Sequence, residues 1–164
     1  MIGFAGLSHL GIVSSIATAS KGWDVVAYDP DASLCEGLAE GRLPLSEPGL
    51  GELLTANRSR LRFSADPADL GGCQVLYFSS DVPTDEDGLS DLSPLRRLIG
   101  DGLAHASRGA TVVVLSQVQP GFTRGLADGL SAQGSRDLQV CYQAETLVFG
   151  QAVERALHPQ RLIL

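Results

Sequence analysis

The chain has 164 residues, 44% hydrophobic and 19% charged, enough to bury roughly 70% of its unfolded surface in one domain and unlike a disordered or fibrous composition. With 12 Lys+Arg against 19 Asp+Glu and a net charge of −7, it lacks the basic surface that displaces counterions from phosphates, so no nucleic acid partner is expected. No apolar run approaches the roughly 20 residues of a membrane span, so no membrane partner is expected either.

Short apolar runs alternate with longer stretches of helical spacing. Met1–Ala5 reads as a strand ending in glycine, and Leu10–Lys21, with Leu10, Val13, Ile16 and Ala17 on one face, as a helix stopped at Gly22. Asp24–Tyr28 is a second strand and Asp31–Glu40 a second helix closed by Gly41. Glu47-Pro48-Gly49 opens another helix through Leu50, Leu53 and Leu54, with Pro48 tolerated in its first turn. Leu61–Phe63 is a weak strand, and Val75–Phe78 is a stronger one without charge, as a sheet buried on both faces requires. Asp91–His105 is amphipathic, Thr111–Leu115 is the clearest strand, and Pro120-Gly121 leads into a helix near Thr123–Ser131. Leu138–Tyr142 is a further strand, and Arg161–Leu164 starts one more. This alternation predicts an α/β fold, a doubly wound and mainly parallel sheet with helices on both faces, formed by residues 1–164 as one domain.

Gly6-Leu7-Ser8-His9-Leu10-Gly11 lies between the first strand and the first helix, and Asp29 closes the second strand. A G-x-G-x-x-G turn followed about 20 residues later by an acid is the fingerprint of a Rossmann-type dinucleotide site. The glycines allow the turn and the close approach of backbone to pyrophosphate, while the acid bonds the ribose hydroxyls and disfavours a 2′-phosphate. The expected cofactor is NAD. Ser8 stands at the middle glycine; its hydroxyl could turn toward a phosphate, or its side chain could keep the phosphate at a distance. A domain whose glycines serve only the turn, and one that binds another nucleotide such as a methyl donor, remain open on these residues alone.

Further segments occur in a fixed order. They are Gly41-Arg42-Leu43-Pro44 with Glu47-Pro48-Gly49-Leu50, Pro83-Thr84-Asp85-Glu86-Asp87-Gly88 with Asp91-Leu92-Ser93, Val112–Gly121, and His158-Pro159-Gln160-Arg161. In order and spacing they resemble the NAD-binding half of the UDP-glucose/GDP-mannose dehydrogenase family, across essentially the whole chain. The resemblance implies oxidation of the C6 hydroxyl of a nucleotide sugar, such as UDP-glucose, to a carboxylate with two NAD, in polysaccharide biosynthesis. It implies a thiohemiacetal and thioester on a cysteine of a second domain, which with the family's central helix lies beyond residue 164, so the chain is expected to be inactive alone. It places Gly6, Ser8, His9, Leu10 and Gly11 at the pyrophosphate, Asp29 at the ribose, Thr84 and Ser116 in loops facing the cofactor, and Glu145 as a catalytic carboxylate activating water. A solvated strand-end glutamate is the alternative for Glu145.

Several positions depart from the family pattern. Asp81-Val82 replace Gly-Thr before Pro83, Gln117 replaces the threonine after Ser116, Leu34 replaces a basic residue, and Val148-Phe149 replace the usual pair before Gly150. A degenerate, non-catalytic module used for binding or assembly is therefore the second reading. Cys35, Cys73 and Cys141 form no C-x-x-C pair, fit neither a disulfide framework nor a zinc site, and read as buried small hydrophobes; no metal is expected. The start Met1-Ile2-Gly3-Phe4 lacks a secretory leader's basic residues, which places the chain in the cytoplasm. Because the family pairs largely through the helix after this domain, a monomer or weak homodimer is expected, and the nucleotide sugar would be met through the separate domain.

Overall fold

The computed structural model describes residues 1–132, 134, 137–159, 161 and 163. In chain order the elements are β1 (Ile2–Ala5), α1 (His9–Ser20), β2 (Val25–Tyr28), α2 (Ala32–Ala39), α3 (Leu50–Ala56), β3 (Leu61–Ser64), β4 (Val75–Phe78), α4 (Ser93–His105), β5 (Thr111–Val114), α5 (Phe122–Ala132), β6 (Gln139–Tyr142) and α6 (Ala152–Leu157). Two 3-10 turns, Arg58–Arg60 and Pro67–Gly72, flank β3. The six strands form one sheet in the order β3-β2-β1-β4-β5-β6, and every neighbouring pair is parallel. This is the doubly wound arrangement the sequence predicts, with its direction of winding reversing between β1 and β4.

Alternation along the strands decides which helices cover which face. Val26 and Tyr28 of β2, Leu76 and Phe78 of β4 and Val112 of β5 pack with Leu95, Leu98 and Ile99 of α4 and Leu70 of the 67–72 turn. Ala27 of β2 faces the other way, where Ile12, Val13 and Ile16 of α1 meet Leu38 of α2, Leu50 and Leu54 of α3, and Ala152 and Val153 of α6. Tyr28 also donates its hydroxyl to Asp101 Oδ2 at 3.1 Å. Burial, helped by that carboxylate, pushes the phenol up to about 12, so it stays a protonated donor.

The structure differs from the sequence expectation in a few places. Pro48 lies in the turn before α3 rather than in its first turn, because Gly49 takes a left-handed φ of 79° as the helix N-cap. The crossover from β3 to β4, where the sequence predicts no element, carries the 3-10 turn, with Pro67 at its start and Asp66 accepting from Ala68 N. The short α6 went unpredicted because six residues show no clear period. Cys35 and Cys73 are buried, but Cys141, on edge strand β6, is only half-buried. Of the strand expected at Arg161–Leu164, Leu162 and Leu164 lie outside the described residues, as does Gln160; Ala144 N donates to Ile163 O at 3.0 Å. Among the described residues no helix is long and apolar enough to cross a membrane, and no cluster of His, Cys, Asp and Glu could hold a metal.

Candidate functional site

The loop from β1 to α1 is drawn tight against the ends of β2 and β4. Gly6 has a φ of 95° and donates to Tyr28 O at 2.9 Å; a Cβ there would lie 2.8 Å from Ser80 N. A Cβ on Gly11 would lie 1.8 Å from Gly6 O, so the first turn of α1 closes directly over the loop. The Ser8 hydroxyl is committed to the loop after β4: it donates to Ser79 O at 3.2 Å and accepts from Asp81 N at 2.9 Å. Ser8 therefore gives α1 no side-chain cap, and the helix ladder begins only with Ile12 N donating to Ser8 O. By contrast, Asp31 caps α2 by accepting from Leu34 N. An uncapped helix start behind a glycine turn, with the N–H groups of His9, Leu10 and Gly11 in its first turn, is an arrangement whose chemistry suits an anion such as pyrophosphate.

Asp29 follows β2 and is half-buried. Its Oδ2 accepts from Leu7 N at 2.8 Å and its Oδ1 from Asp31 N at 3.0 Å. A carboxylate has about four lone-pair sites, so Asp29 fixes the glycine loop and still has capacity for ribose hydroxyls. Asp31, exposed two residues on, adds a second negative charge beside it. The residues fit NAD on these observations.

Ser79 and Ser116 stitch the strand ends around this loop. The buried Ser79 hydroxyl donates to Gly6 O at 3.0 Å, and the buried Ser116 hydroxyl donates to Ser80 O at 2.6 Å. The Ser116 hydroxyl is thus turned into the chain. Thr84 stands further out, exposed, facing Ser90 across a small bridge with their hydroxyl oxygens 3.1 Å apart. Among the described residues the buried Ser80 hydroxyl meets no hydrogen-bond partner.

Glu145, in the loop after β6, accepts from Leu147 N and lies 3.5 Å from Gln117 Nε2. It lines a cavity of about 150 Å³ with Leu10, Leu115 and Arg155. A larger groove of about 990 Å³ runs between α4 and α5; lined mainly by apolar side chains and glycines, it lies apart from the glycine loop.

One site residue escapes sequence reasoning. Glu47 is buried, with its side chain wholly hidden from solvent. Its carboxylate is 2.8 Å from His9 Nε2 and accepts from Gly150 N at 2.9 Å and Ala152 N at 3.3 Å. Burial alone would raise the carboxyl, but the Gly150 N–H, the His9 ring and the Ala152 N–H together hold it below the ordinary value. His9 also packs on Phe149, ring centroids 4.3 Å apart. Only the motif position of Glu47 hints at importance, since its partners lie 38 and more than 100 residues away.

Comparison with known proteins agrees with this geometry. The profile of the UDP-glucose/GDP-mannose dehydrogenase family, NAD binding domain, matches residues 1–164. YtcA of Bacillus subtilis is 31% identical over 97% of the chain, which spans 38% of that protein. The UDP-glucose 6-dehydrogenase of Rhizobium meliloti is 29% identical, again over 97% of the chain and 38% of the relative. Among solved structures, the UDP-D-ManNAc dehydrogenase of Pyrococcus horikoshii superposes with a TM-score of 0.87 at 28% identity, covering 94% of this chain and 38% of that one. The UDP-glucose dehydrogenase of Pyrobaculum islandicum gives 0.85 at 29% identity over 98% and 39%. The chain therefore spans about two fifths of the length of these relatives. With its glycine turn, uncapped helix and half-buried acid after β2, the chain belongs to the UDP-glucose/GDP-mannose dehydrogenase family as its NAD-binding domain.

Proposed function

We propose that residues 1–164 hold NAD for a nucleotide-sugar 6-dehydrogenase that oxidises the C6 hydroxyl of a UDP-glucose-like sugar. The observation that carries this reading is the pairing of the uncapped α1 start with Asp29 at the point where the winding of the sheet reverses. In this reading the backbone of Gly6, Ser8, Leu10 and Gly11 faces the pyrophosphate with His9 beside it, Asp29 takes the ribose hydroxyls, and the loops of Thr84 and Ser116 border the nicotinamide side. When bound, NAD supplies the hydride acceptor. Glu145 stands as a general base for water, with Gln117 holding one of its oxygens.

The covalent step belongs to another part of the enzyme. Burial raises the thiols of Cys35 and Cys141 and pushes Cys73 up to about 11, so none of the three is a thiolate at neutral pH. The 164 residues are then inactive alone and meet the nucleotide sugar through a separate domain carrying the nucleophile. Three free thiols suit the cytoplasm, where such a product feeds polysaccharide synthesis; the domain is a monomer or weak homodimer. The degenerate-module reading draws on exposed Asp81 and Phe149. Thermal unfolding separates the two: about 1 mM NAD at a Kd of about 10 μM adds about 2.7 kcal/mol, a Tm rise of roughly 5–10 °C. NADP should give a much smaller rise. No rise with NAD would refute the cofactor role, and an equal rise with NADP would refute the role of Asp29.

A further inference from the structure

We propose that Glu47 is a positioning residue for the cofactor phosphates, acting through His9, an inference that rests on NAD binding at the α1 start. Glu47 lies between Pro44 and α3, outside the glycine loop, yet its fully hidden carboxylate meets donors from two distant segments. A buried charge is a poor device for stability alone, since desolvation offsets most of its attraction. What it supplies is geometry. An ionised carboxylate only accepts hydrogen bonds, so His9 Nε2 must carry a hydrogen, and the tautomer and plane of the ring are set. Phe149 packs on the ring as well, its centroid 4.3 Å away and its plane tilted by 41°.

His9 is the first residue of α1, in the turn whose N–H groups face the phosphates. The same carboxylate takes the N–H groups of Gly150 and Ala152 at the start of α6. Glu47 therefore locks the phosphate turn to the loop that carries Glu145. Releasing it frees both, and the phosphate turn loses its fixed side chain.

The test measures NAD affinity by calorimetry for the wild-type chain, Glu47→Gln, His9→Phe and the double variant. Each single change should weaken NAD roughly tenfold, the worth of one hydrogen bond to a charged group. The double variant should be no weaker than the worse single, because both act along one route. Single variants that bind like a binding-competent wild type, or losses that multiply in the double, would overturn the assignment while leaving NAD binding intact. A wild-type chain that does not bind NAD would overturn both readings together. Should Glu47→Gln fail to fold, imidazole ¹⁵N spectra of the wild type carry the test. His9 should show the Nε2–H form and shift with NAD, while exposed His105 and His158 stay in place. An Nδ1–H form, or a His9 signal indifferent to NAD, would overturn the proposal.

Discussion

Replacing Gly11 with alanine tests whether the glycine loop is held by close backbone contact. The added Cβ would sit 1.8 Å from Gly6 O and 2.9 Å from Ser79 Oγ, so the carbonyl must retreat by about 1.2 Å to reach even 3.0 Å. That movement breaks the bond from Ser79 Oγ to Gly6 O, now 3.0 Å, and strains the bonds from Gly6 N to Tyr28 O and from Leu7 N to Asp29 Oδ2. Overpacking costs about 1–3 kcal/mol and one or two buried hydrogen bonds about 1 kcal/mol each. Better helix propensity returns about 1 kcal/mol. The net loss is about 3 kcal/mol, a fall in Tm on the order of 10 °C. The control is Gly125→Ala in α5, where a Cβ meets nothing within 4 Å among the described residues; there propensity acts alone and should add up to about 1 kcal/mol. Urea unfolding of both variants reads the two signs, and NAD binding should vanish only in the first. A Gly11→Ala change under about 0.5 kcal/mol, or an equal loss at Gly125, would refute the close-approach argument.

Asp81→Gly should tighten NAD binding two- to fivefold: a surface charge roughly 8 Å from a phosphate costs about 0.5–1 kcal/mol, and titration calorimetry at low salt would show it. Unchanged affinity would mean that the exposed Asp81 carboxylate does not face the phosphates. Because folding lowers the Glu47 carboxyl below 4.5, its contribution is present above that pH and lost as pH falls through the folded value. Urea midpoints followed downward from about pH 5 should drop less in Glu47→Gln than in the wild type, and parallel profiles would contradict the linkage. Alkylation followed by mass spectrometry at pH 8 should modify half-buried Cys141 well before Cys73, whose thiol is held near 11; the reverse order would mean that β6 covers its cysteine better than the structure indicates.

Much of this protein is legible in the linear chain because its signals are local. Val25–Tyr28 and Thr111–Val114 are strands by apolar run alone, Gly6 and Gly11 mark a turn that admits no side chain, and the parallel winding follows from alternation of strand and helix. The ordered Gly, Pro and Asp segments carried the family resemblance for the same reason, since each is a local constraint on turn or cap.

Tertiary structure decided what depends on partners far away in sequence. Ser8 could serve a phosphate by its position, but its hydroxyl goes to Ser79 and Asp81, 71 and 73 residues on. Ser116 faces Ser80 rather than outward, and Cys141 is half-open because β6 is a sheet edge. Glu47 is only the first residue of a helix-opening motif until folding brings His9, Gly150 and Ala152 around it. Periodicity and turn chemistry report the backbone within a few residues, whereas the environment of a polar side chain is set by whichever segments the sheet order places beside it.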